Sequence, residues 1–282
     1  MKFAPILLLI LAASLAGGAA AEQPSDGERQ RELIDAQVAR FPDEPAAGGR
    51  VYFLGFAGFG EERVFAEEIK LARQRVGEKY GSSMRSVLLL NDRRDLTTWP
   101  LASESSLRYS LREIARVMNR DEDVLFLALS SHGSRGSISV SNTGMFEQSL
   151  TARTLAKLLK ESGIRWRVIV VSACFSGSFV KPLADNHTIV ITAASKSRTS
   201  FGCSDQRDLT YFGEAFYRDA LPNSTDLRLG FETARKDIRE RERAEGYTPS
   251  QPQGYFGPLM EEKLRAIEQS TAQAPAAPGQ GR

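Results

Sequence analysis

Five short stretches of this chain carry apolar residues at consecutive positions: VYFLGFA (51–57), SVLLLN (86–91), DVLFLALSS (123–131), WRVIVVSA (166–173) and TIVITAA (188–194). Apolar runs of this length, without polar alternation, predict strands that are covered on both faces. The segments between them have helical spacing instead. Leu107, Leu111, Ile114 and Met118 recur at intervals of four, three and four, which lines them along one helix face. In TARTLAKLLKESG, Thr151 predicts an N-cap and Gly163 a C-terminal stop around Leu155, Leu158 and Leu159. Further helices are predicted over 61–80, 210–220 and 226–245. This alternation predicts an α/β fold with a mostly parallel central sheet between helical layers.

The ends of the chain have a different pattern. Residues 1–21 read as a signal peptide: Lys2, an apolar stretch from Phe3 to Leu15, then small residues ending at Ala21. The expectation is an exported, periplasmic or secreted protein with no stable membrane span after signal cleavage. Residues 22–49, with Pro24, Pro42, Pro45 and Gly48-Gly49, are expected to form a linker or N-terminal extension, residues 50–262 the domain, and residues 263–282 a disordered tail. The 282 residues hold 37 Lys and Arg against 35 Asp and Glu, a net charge of +2. Arg239, Arg241 and Arg243 alternate with Glu240, Glu242 and Glu245, the pattern of a solvated helix face, so no nucleic acid partner is expected.

Ligand sites in open parallel sheets lie beyond the carboxyl ends of strands. Two ends carry chemistry here. The third run stops at His132-Gly133 and the fourth at Cys174, 42 residues later; if these strands are neighbours, imidazole and thiol share a crevice. Such a pair supplies a base and a nucleophile, and the backbone N–H groups of Gly133 and Cys174 suit an oxyanion. Two other readings of Cys174 stay open on the residues alone: an inert packing thiol, or a disulfide with Cys203, the only other cysteine. His187, before the fifth run, reads as a surface loop residue, and GFAGFGEE (55–62) as a tight turn near the site. No G-x-S-x-G occurs, which removes a serine-hydrolase elbow, and no C-x-x-C, which removes a thioredoxin-like motif and a Cys-rich zinc site; one Cys and one His without a carboxylate helix make no metal site.

LSSHG, SACFSGSF and ITAASKSRTSFGCSDQRDLTYFGEAFY together resemble the legumain-like cysteine peptidases, family C13 of the caspase-like clan, and in particular its exported bacterial members; the likeness covers about residues 50–260. It implies a caspase-like three-layer α/β/α sandwich, with His132 as general base, Cys174 as nucleophile and the N–H groups of Gly133 and Cys174 as oxyanion hole. It implies a cysteine endopeptidase acting on peptide or protein substrates through a thioester, or a transpeptidase with the same dyad, with no metal or organic cofactor required. The remaining alternative is a non-catalytic binding domain on the same fold. The resemblance places Ser172, Ser200 and Glu214 in the substrate pocket. Ser172, two positions before the nucleophile, stands where relatives carry an acid, which puts their asparagine preference in question.

Overall fold

The computed structural model describes residues 26–42, 49–142 and 144–273. The expected signal segment 1–21 lies outside the described residues, as does the end of the expected tail. All five apolar runs form strands: β1 (Val51–Ala57), β2 (Ser86–Leu90), β3 (Val124–Ser130), β7 (Trp166–Ser172) and β8 (Thr188–Thr192). They pair in parallel in the order β2-β1-β3-β7-β8, and β9 (Gln253–Phe256) adds an antiparallel edge beside β8.

Side chains alternate across the sheet and fill two cores. Val124, Phe126 and Ala128 of β3 and Val168 and Val170 of β7 pack with α2 (Arg63–Tyr80), α7 (Leu227–Ala244) and α8 (Pro258–Gln273). Leu125, Leu127, Ile169 and Val171 face the other way, toward α3 (Glu104–Val117) and α4 (Ala152–Ser162). The result is a three-layer α/β/α sandwich. Thr151 caps α4 through the N–H of Thr154, and Gly163 ends it in the left-handed region at φ 69°.

Between β3 and α4 the chain makes a small antiparallel sheet of β4 (Gly133–Ser134), β5 (Ser137–Asn142) and β6 (Phe146–Thr151). Beyond β7 come a 3₁₀ turn (Ser176–Phe179) and the short α5 (Val180–Leu183). The helix predicted over 210–220 divides into the short α6 (Tyr211–Gly213) and a π-helical stretch, Glu214–Ala220.

Two boundaries differ from expectation. The segment 22–49 is not simply a linker, because α1 (Asp26–Val38) packs against the sandwich with Ile34 wholly buried. Its Gln37 accepts from Leu88 N at 2.9 Å and donates to Leu88 O at 3.2 Å, which satisfies the backbone of the edge strand β2. The tail expected from residue 263 is helical as far as Gln273: Met260, Leu264 and Ile267 of α8 enter the core, and Tyr80 donates to Glu268 at 2.8 Å. Polar composition concealed both helices, since each contributes only a narrow apolar stripe.

Candidate active site

β3 and β7 are neighbours in register, with Ser130 opposite Ser172. His132 and Cys174 each follow two residues later, at the same level. Since Ala128 and Val170 face α2, the even positions that follow them lie on that face as well. The imidazole of His132 accordingly lodges between Phe59 and Phe65, with ring centroids 4.7 and 5.0 Å away, both edge-to-face. Its Nε2 meets Glu62 Oε2 at 2.5 Å. Glu62 is the N-cap residue of α2, but its side chain caps nothing there and turns to the histidine instead. With Nε2 occupied, Nδ1 is the ring atom free to exchange a proton with a thiol.

Cys174 is held by a turn that leaves little freedom. Phe175, next in sequence, sits in the left-handed region at φ 57°, a strained position for a residue with a side chain. It is fixed there by donation from Phe175 N to Arg198 O at 2.8 Å and by the Ser178 hydroxyl on Phe175 O at 2.7 Å. Gly177 is required because a Cβ would lie 2.5 Å from Lys196 N. A Cβ on Gly133 would fall 2.1 Å from the Cys174 carbonyl oxygen, so only glycine lets these two strand ends approach. Ser200 N donates to Cys174 Sγ at 3.3 Å, and the Ser200 hydroxyl lies 3.6 Å from the sulfur.

Both cysteines are free thiols. Burial, helped by the fields of Cys174, Glu68 and Glu62, pushes the Cys203 thiol up to about 12, so it stays protonated near neutral pH. Ser172 is buried, with its hydroxyl 3.4 Å from Thr210 Oγ1. Beneath both lies Glu68, from α2, whose Oε2 accepts from Thr210 Oγ1 at 2.5 Å. Burial raises the Glu68 carboxyl to about 7, while the hydroxyls of Thr210, Ser172 and Ser130 pull the other way.

Glu214 belongs to a separate cluster. Arg207, Arg241 and Arg218 reach it at 2.5, 2.6 and 2.7 Å. Burial opposes its charge, but the bonds from Arg241 and Arg218 prevail and hold it below the usual carboxylate range. His187 is half-buried in the loop before β8, pairing with Arg165 Nη2 at 2.9 Å and resting on Trp166. No group of three or more His, Cys, Asp or Glu among the described residues is placed to hold a metal. A cleft of about 860 Å³ lies between α1, α3 and α4 and contains none of these residues.

A model of the Peptidase C13 family matches residues 108–262, which include His132, Cys174 and the 200–214 segment. The chain belongs to the peptidase C13 family. Among curated proteins, legumain from Homo sapiens and legumain from Pongo abelii are each 29% identical to it over 117 residues, 41% of this chain. The chain spans only about a quarter, 27%, of those relatives. Among solved structures, caspase-1 from Spodoptera frugiperda superposes with a TM-score of 0.51 over 74% of this chain and 87% of that one, at 11% identity. That likeness makes the sandwich caspase-like in fold.

Glu62 and Glu68 precede the stretch matched to the family and were missed from the sequence. Each leaves a signal there. Glu62 stands just past the end of β1, on the ligand side of the sheet. Glu68 interrupts the apolar face Phe65, Ile69, Ala72 and Val76 of α2, and an acid on a buried helix face calls for a reason.

Proposed function

We propose that this peptidase C13 family member is an exported cysteine endopeptidase in which His132 and Cys174 form the catalytic dyad. The observation that carries the reading is the register of β3 with β7, since strands paired at Ser130 and Ser172 deliver imidazole and thiol to one level of one sheet face. His132 takes the proton of Cys174, and the thiolate attacks the scissile carbonyl. Backbone N–H groups of Gly133 and Cys174 face the oxyanion. The imidazolium, steadied by Glu62 through Nε2, gives its proton to the departing amine, and the thioester is then hydrolysed by a water that His132 deprotonates. A phenylalanine sandwich and an acid fixed on one ring nitrogen suit a base that must keep one orientation through both half-reactions. Export rests on the apolar and small-residue pattern of residues 1–21.

The test is a positional peptide library incubated with the wild-type protein and with Cys174→Ala, with and without an added amine. Cleavage by the wild type that vanishes in the variant is expected. Cleavage that survives the substitution would refute the assignment, and capture of the acyl group by the amine would redirect it to transpeptidation.

A further inference from the structure

Two acids bear on the side-chain pocket beside Cys174, Glu214, which the resemblance placed there, and Glu68, which the structure puts beneath Ser172, and their surroundings are opposite. Glu214 already has three arginines around its carboxylate. Glu68 is wholly buried and meets only hydroxyls and apolar groups: Thr210 on Oε2, Ser172 and Ser130 alongside, and Gly213 against its carboxyl end. The charged or titratable groups close enough to feel it are Cys203 and Tyr217, and neither is a cation. Its Oε1 forms no well-aligned hydrogen bond, nor does the neighbouring Ser130 Oγ. Two buried polar atoms without a well-aligned hydrogen bond in one spot demand an explanation.

The location of that spot supplies one. Ser130 and Ser172 are the residues two before His132 and Cys174 and share their sheet face, so Glu68 lies directly inward of the dyad. Ser172 is small and uncharged, so β7 itself places no countercharge over the carboxylate. On the other side Gly213 packs directly against the carboxylate, where a Cβ would come within 2.5 Å of Oε2. Cys203, from the segment that carries Ser200, borders Cys174 and Glu68 together. That segment is tied to the start of α2 by Arg63 N, which donates to Asp205 Oδ1 at 3.0 Å.

From this geometry we infer that Glu68 is the specificity-determining acid of the site, and that the substrate side chain preceding the attacked carbonyl is basic, lysine or arginine. The inference rests on Cys174 being the attacking residue. An entering ammonium or guanidinium supplies the donors that Oε1 and Ser130 Oγ lack and the countercharge that no described residue provides. A neutral or acidic side chain of similar length leaves those atoms orphaned.

Binding to the full-length Cys174→Ala protein tests this without needing turnover. Fluorescent peptides identical except for Lys, Arg, norleucine, Asn or Asp at the reacting position are titrated by anisotropy at about pH 8, with the dyad's own reactivity scored separately by iodoacetamide labelling of the wild type. The lysine and arginine peptides are expected to bind about tenfold or more tighter than the norleucine peptide, and Glu68→Gln in the same background to erase that difference. Equal affinities, tightest binding of the Asn or Asp peptide, no binding of any peptide, or a basic preference that persists in Glu68→Gln would each overturn the inference. The wild-type side-chain comparison stands even where Glu68→Gln fails to fold. Basic preference with an unreactive Cys174 would sink the peptidase reading and leave the pocket assignment intact; a reactive Cys174 without the preference would do the reverse.

Discussion

Glu62 and Glu68 separate the two demands that a Cys–His site makes on acids. Glu62 is half-exposed and bonded to the base, so it acts on the proton, not on the substrate. Replacing it by Gln keeps a hydrogen-bonding side chain but removes the charge that favours the imidazolium; kcat is expected to fall about 10-fold, and further for Glu62→Ala, with KM little changed. Steady-state kinetics of the two variants check the order. Glu68 makes a thermodynamic prediction of its own. Burial lifts its folded carboxyl to about 7 from an ordinary 4.5, so the fold favours the protonated form, and the stability it confers is complete at low pH and lost as pH rises through about 7. Between about pH 5 and pH 8 the wild type should lose roughly 2–3 kcal/mol that Glu68→Gln does not lose. Urea unfolding of both proteins at the two pH values reads it directly.

At the scale of elements, the strand ends matter most. The turn after β7 carries a left-handed Phe175, and the chain leaving β3 reaches Gly133; the approach between them is the site. Gly133→Ala places a Cβ against the Cys174 carbonyl and is expected to cost about 1–3 kcal/mol, and to slow acylation more than it loosens substrate binding, measurable by thermal denaturation and single-turnover kinetics. These elements were readable in advance because the apolar runs are continuous and the helix caps are chemically explicit, as at Thr151 and Gly163. What escaped was of three kinds. α1 buries little beyond Ile34, too faint a stripe to stand out among Glu, Arg and Gln. The β4–β6 sheet is mostly polar, since its outer face is solvated. Glu62 and Glu68 take their roles from contacts with residues far along the chain, His132 and Thr210, which no local pattern encodes.

Over the whole molecule, both helices at the chain ends brace the sandwich. α1 covers the β2 edge, and α8 packs beside β8 and α2 with Leu264 2% exposed. Leu264→Ala is expected to destabilise the domain by about 2–4 kcal/mol, seen as a lower urea midpoint, while leaving the ratio of kcat values for lysine and arginine substrates unchanged. The strand order β2-β1-β3-β7-β8-β9 places β3 and β7 at the middle of the sheet, where backbone motion is most restrained, and the dyad is built on those two strands. Catalysis by this dyad requires that Cys174 carry the acyl group. Rapid-quench mass spectrometry of the wild-type protein with a peptide ester, followed by peptide mapping, addresses it most directly: an acyl adduct on Cys174 that decays with product release is the predicted result, and an adduct on Cys203, or turnover with no adduct on either thiol, would contradict it.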